Sequence, residues 1–148
     1  MVVPFVREEI NGKLFGHKGQ EHMSAYYSWW ALDACGDLLL ESERPSIRNL
    51  INEILDSLKT LMMKNKDGTF GYPLTLVGIS DLGATAQIGE IMLRFRPADK
   101  DNKMDKLSAF ILKMISEENI RNYNHYESLC AVPYFIERLQ SINEQKIE

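Results

Sequence analysis

The stretch DGTFGYPLTLVGISDLGATAQIGEIML, residues 67 to 93, joins a glycine-rich turn to a helix rich in small residues. Asp67-Gly68 and Gly71-Tyr72-Pro73 supply the dihedral freedom and the fixed φ of a compact turn, so a helix arriving from the N-terminal side must stop there. Ser80 or Asp81 can then cap a second helix by accepting from its first free N–H groups, and that helix runs through Gly83, Ala84, Ala86 and Gly89. The pattern predicts helix, turn, helix.

Working outward, the segment from about Leu50 to Phe95 resembles the repeat of the α/α-toroid superfamily, the terpenoid cyclases and protein prenyltransferases. There an outer helix ends in DG-x-[WF]-G and an inner helix opens with SD-x-x-x-TA; here these are Asp67-Gly68-Thr69-Phe70-Gly71 and Ser80-Asp81 followed by Thr85-Ala86. The resemblance implies an all-α fold of antiparallel α/α hairpins, with about five helices arranged as a partial toroid-like layer. Where the family's chemistry would sit, the sequence departs from it. Aligned on Thr85-Ala86, the proton-donating DxDD motif of the class II cyclases falls on Asp81, Leu82, Gly83 and Ala84, which keeps only its first carboxylate. Lys64 stands about where the family's glutamine precedes the turn, and no cysteine, histidine and aspartate set matches the prenyltransferase zinc site. The resemblance points to a fold and away from both reactions, and no metal or cofactor is expected.

A chain of 148 residues suits one helical domain, expected over 1–148 with an arm at 1–20 and a frayed polar tail at 141–148. Its 45% hydrophobic and 26% charged residues are ordinary globular usage, which excludes a disordered or fibrous class. Seventeen Lys and Arg against 21 Asp and Glu give a net charge of -4, and no long cationic run interrupts the chain, so nucleic acid is not an expected partner. Cys35 and Cys130 are isolated thiols, expected to be buried structural residues in a reducing compartment. No apolar run approaches the ~20 residues of a membrane span, and MVVPFVREE has no basic segment ahead of an apolar one, so the expected location is the cytoplasm. His17, Glu21 and His22 are spaced one residue too long for the inverted zincin motif and are read as loop and cap.

Hydrophobic spacing then places the helices. Met23 to Leu40 is apolar around most of its circumference, with Met23, Tyr27, Trp30, Ala34 and Leu38 on one stripe and Tyr26, Trp29 and Asp33 on the next, as expected of a helix surrounded by others. Pro45 opens a second, amphipathic helix carrying Ile47, Leu50, Ile51, Ile54, Leu55 and Leu58. The third runs from about Asp81 to Phe95, stopped by Arg96-Pro97, and its small residues let neighbours approach closely. The fourth begins near Asp101 with Met104, Leu107, Ile111, Leu112 and Ile115 on its apolar side. The fifth is expected over 124–139, bent at Pro133. Helices one, three and five read as an inner layer and two and four as an outer one.

In such an array the starts of the inner helices converge at one mouth. The candidate catalytic groups there are His22, Asp81, His125 and Glu127, together with Asp33, whose carboxylate stands among aromatic rings. Tyr26, Trp29, Trp30, Tyr72, Thr85 and Tyr126 are the candidate ligand-binding residues, able to stack on a sugar or an apolar ring or, for Thr85, to bond it. Capping and core packing explain each residue singly; only the group reads as a site. General acid or base work on a sugar or isoprenoid is the most these groups allow, and no spacing forces any two of Asp33, Asp81, Glu90 and Glu127 together as glycoside hydrolysis requires. Two readings follow. One is a toroid-like domain that binds an apolar or carbohydrate-like ligand in an aromatic-lined cleft, with turnover left open. The other is a non-catalytic helical interaction module. Because five helices cannot close a toroid, and an open apolar layer exceeds what monomers expose, the expected partner is a second copy or a larger protein.

Overall fold

Between Pro45 and Thr60 the apolar residues recur so regularly that one side of the helix must be buried, and the computed structural model has that helix. The structure describes residues 5–8, 14–17, 24–74, 78–99, 101–116 and 129–145. The chain divides into two compact units, one of Met1–Met62 with Pro73–Gly78 and one of Met63–Tyr72 with Ile79–Glu148. Among the described residues there are five helices, a two-stranded pair and a small three-stranded sheet, so the predominantly helical expectation holds.

In the first unit, strands β1 (Phe5–Glu8) and β2 (Leu14–His17) pair antiparallel, with Phe5 opposite His17 and Glu8 opposite Leu14. Within the expected arm these residues are therefore a strand pair, and His17 closes a strand rather than a loop. Helix α1 (Ser24–Leu40) packs on β2 and on α2 (Pro45–Thr60). Pro45 stands in the first turn of α2, where its missing N–H costs no bond, and Ile51, Ile54, Leu55 and Leu58 are buried. Arg48, Asn49, Asp56 and Lys59 face solvent, as the periodicity predicts.

Helix α1 corrects the expectation in one respect. It buries Ser28, Trp29, Leu32 and Gly36, while Trp30, Ala34 and Leu38 are exposed. A helix apolar around most of its circumference gives periodicity no means of choosing between two stripes, and the stripe of Trp30 and Leu38 is the outward one. Nor are the thiols buried. Cys35, also on α1, and Cys130 are both free and exposed.

In the second unit the predicted turn contains strands. β3 (Met63–Lys64) pairs antiparallel with β4 (Phe70–Pro73), Met63 opposite Gly71 and Lys64 opposite Phe70, and β5 (Ser80–Asp81) lies on the other side of β4. Gly68 at φ 86° makes the reversal that a Cβ would oppose. The Asn65 N–H bonds the Thr69 carbonyl at 2.8 Å, and the Asp67 carboxylate accepts from the Thr69 N–H at 3.0 Å and its hydroxyl at 2.6 Å. Glycine, proline and aspartate mark such a hairpin and a simple loop alike, and the strands flanking it are too short to show alternation.

Helix α3 (Leu82–Phe95) is buried on every side from Leu82 to Leu93 and packs against α4 (Asn102–Ser116) and α5 (Ala131–Gln145). Gly89 is what admits α5: a Cβ there would lie 2.8 Å from Phe135 Cε2 and 3.1 Å from its Cδ2. The small-residue side of α3 thus serves the close approach its composition predicts. Arg96, held at φ -135° before Pro97, ends it. In α4, Asp101 caps by accepting from the N–H groups of Lys103 and Met104, and Met104, Leu107, Phe110 and Ile111 are buried, whereas Leu112 and Ile115 are exposed. α5 differs from the expected inner helix. It starts at Ala131, so Pro133 falls in the first turn, where N–H groups have no intrahelical partner and a proline breaks no bond. It continues through Gln145, into the stretch expected to fray, and Tyr134 on its outer side is exposed.

Candidate functional site

Three of the residues expected at the mouth come together where β4 meets the start of α3. The Asp81 side chain accepts from the Ala84 N–H at 2.9 Å, making Asp81 the N-cap. The Thr85 hydroxyl donates to the Asp81 carbonyl at 2.6 Å and accepts from the Tyr72 N–H at 2.9 Å, stitching the first turn of α3 to β4. Ser80 donates to Asn65 Oδ1 at 2.7 Å, and Asn65 Nδ2 donates to Thr69, which carries the network into the hairpin. Gly71 is required at the centre: a Cβ there would stand 2.6 Å from Ser80 Oγ and 2.7 Å from Ser80 Cβ.

Tyr72 and Thr85, both 0% exposed, open onto no solvent. Burial raises the Tyr72 phenol far above its ordinary value, and the nearby Asp101 carboxylate adds to the shift. Its hydroxyl has no hydrogen-bond partner among the described residues, nor has the indole N–H of Trp29. The phenol is thus held neutral at any physiological pH. What this constellation can do is fix the hairpin against α3.

A second polar group lies further along α3. Glu90, 7% exposed, takes Arg94 Nη2 on Oε2 at 3.0 Å and Arg138 of α5 on Oε1 at 3.1 Å. Two guanidiniums on one buried carboxylate satisfy both oxygens, as a charge in this position requires. Arg138 also lines a concavity on the outer side of α5 with Tyr134, Glu137 and Ser141. Sequence reasoning counted Glu90 among the acids but missed its partners; the i, i+4 spacing to Arg94 was the available signal, and nothing marked Arg138.

Of the remaining candidates, the described ones belong to the first unit. Trp29 is buried and meets Trp30 edge to face, with ring centroids 5.1 Å apart at 72°. Trp30 is 42% exposed and Leu38 76%, and Asp33 and Asp37 stand beside them, also exposed. Tyr26 lies within α1. His22, His125, Tyr126 and Glu127 lie outside the described residues. Among the described residues no three His, Cys, Asp or Glu side chains form a group that could hold a metal ion, and no helix is long and apolar enough to cross a membrane.

Compared with known proteins, the chain matches no family model, no curated protein and no solved structure.

Proposed function

We propose that the chain is a non-catalytic helical interaction module that binds another protein through the outward stripe of α1. One observation carries this reading. α1 has two apolar faces: Trp29 and Leu32 fill the buried one, and Trp30, Ala34 and Leu38 stand on the opposite side at i, i+4 and i+8 with large fractions of their surface in water. Burying a side chain of this size fully contributes about 1.5–3 kcal/mol. A helix that keeps a Trp and a Leu outward along one line therefore offers a docking surface of the helix-in-groove kind. The two free thiols suit the reducing interior expected of the chain.

A second reading retains the toroid-like domain with an apolar or sugar ligand. The enclosure of α3 from Leu82 to Leu93 favours it, since an inner-layer helix is surrounded. It loses force at Tyr72 and Thr85, whose side chains are committed to the interior, and at Trp30, which is exposed.

Trp30 supplies the test, because its indole moves from partial exposure to burial if the stripe is covered. A synthetic amphipathic helix with a leucine stripe is titrated into the protein while tryptophan emission is followed, and emission of the protein alone is followed over a concentration series. The expected result is a blue shift in one of the two series, abolished by Leu38→Glu. If neither series shifts, or if Leu38→Glu leaves the shift unchanged, α1 is not the binding surface.

A further inference from the structure

The stripe on α1 has unequal edges. Along one edge run Asp33 and Asp37, four residues apart and both exposed, continued past the helix end by exposed Glu41. Along the other lie Ala31 and Cys35, without charge. Nothing between Ser24 and Leu40 is basic. Within α1 the apolar line thus has acidic residues along one edge only.

From this, and resting on the proposal that α1 is the docking surface, we infer that the partner is another protein presenting an amphipathic helix whose apolar stripe is edged by Lys or Arg. The charge arrangement decides against a second copy of α1. If two copies of the stripe packed antiparallel, the two-fold axis would keep both acidic margins on the same side of the pair, bringing Asp33 and Asp37 of one protomer against those of its partner. Like charges so placed across an interface oppose association. Parallel packing would set each acidic margin opposite Ala31 and Cys35, where it meets nothing of opposite sign. A foreign helix with a basic edge meets both requirements: leucine or similar side chains cover Trp30 and Leu38, and the cations lie over Asp37 and Glu41. Such matching raises the association rate and sets the orientation of the bound helix, and it weakens with salt because these carboxylates are exposed.

The experiment uses two synthetic helical peptides of about 18 residues with the same leucine stripe, one edged with lysine and one with glutamate. Each is titrated by tryptophan emission into wild type, into Asp37→Lys with Glu41→Lys, and into Leu38→Glu, at low and at moderate salt. Far-UV circular dichroism checks that each variant is folded. The expected result is that wild type prefers the lysine-edged peptide by about tenfold, equivalent to about 1.4 kcal/mol. The double lysine variant should reverse that preference, and Leu38→Glu should bind neither peptide. If both peptides bind equally to wild type and to the double variant while Leu38→Glu still abolishes binding, the charge-matched partner is wrong and the docking surface stands. If Leu38→Glu binds as wild type does, or if wild type binds neither peptide, the docking surface falls as well. Light scattering of the protein alone gives a separate outcome: a dimer mass that Leu38→Glu reduces to the monomer makes the occupant a second copy and overturns the inference.

Discussion

Tyr72 shows what a single side chain costs and gives. Its ring, carried by β4, is fully buried, its backbone N–H is bonded to Thr85, and its hydroxyl has no hydrogen-bond partner among the described residues. A buried hydroxyl left unsatisfied costs about 1–3 kcal/mol, and the Asp101 carboxylate nearby raises the price of ionising it rather than removing it. Tyr72→Phe keeps the ring and the backbone bond and deletes only the orphan. We expect its melting temperature to equal or exceed that of wild type, with a gain of up to about 1 kcal/mol. A loss of about 1 kcal/mol or more in thermal or urea unfolding would mean that the hydroxyl is satisfied in solution.

Elements differ in how far the sequence discloses them, and the differences have physical causes. α2 was legible in its start at Pro45 and in its buried face, because one side is Ile and Leu and the other is charged, but it ends at Thr60, ahead of the turn expected to stop it. α3 was legible in its cap at Asp81 and in its glycines, because capping and close packing are local demands. The outward face of α1 was not legible, since a helix apolar on two sides leaves the choice to its neighbours, and the candidate residues of the expected cleft fell on both faces. Pro133 was misplaced for a related reason: a proline marks a first turn as well as a bend, and only the true start of α5 separates the two. The link between the β3–β4 hairpin and α4 was invisible in sequence. Lys113 lies 46 residues beyond Asp67 and holds its carboxylate at 2.6 Å. That hydrogen bond first, then those from Thr69, keep the Asp67 pKa well below the ordinary carboxylate range. A lowered native pKa stabilises the fold above the unfolded value of about 4, and the contribution fades as pH falls below it. Asp67→Asn should therefore unfold at lower urea than wild type near pH 7. The gap should narrow as the pH is lowered from about 5 towards 2. A gap independent of pH would show that the pair contributes through the turn alone. High salt should shrink the gap too, because both groups are exposed.

For the whole molecule the unusual feature is the order in which the chain builds its two units. It leaves the first unit after Met62, forms the hairpin of the second, returns to the first at Pro73–Gly78, and enters the second again at Ile79. Neither unit is a continuous segment: Pro73, the last residue of β4, belongs to the first unit, and Ser80 and Asp81 of β5 belong to the second. A disturbance at β4 is therefore expected to reach both units. Gly71→Val is such a disturbance. Its Cβ would fall 2.6–2.7 Å from Ser80 and 3.0 Å from Thr85 Oγ1, so β4, β5 and the start of α3 must separate. Overpacking of this kind costs about 1–3 kcal/mol. Two probes divide the molecule cleanly, because both tryptophans, Trp29 and Trp30, belong to the first unit while far-UV circular dichroism is dominated by helices of both. If the interleaved chain makes folding one cooperative event, the tryptophan and dichroism midpoints of Gly71→Val fall together and stay coincident. If the units fold independently, the tryptophan midpoint stays at its wild-type value while the dichroism curve splits in two. We expect coincidence, because Pro73, the last residue of β4, belongs to the first unit and cannot hold its place once β4 has moved.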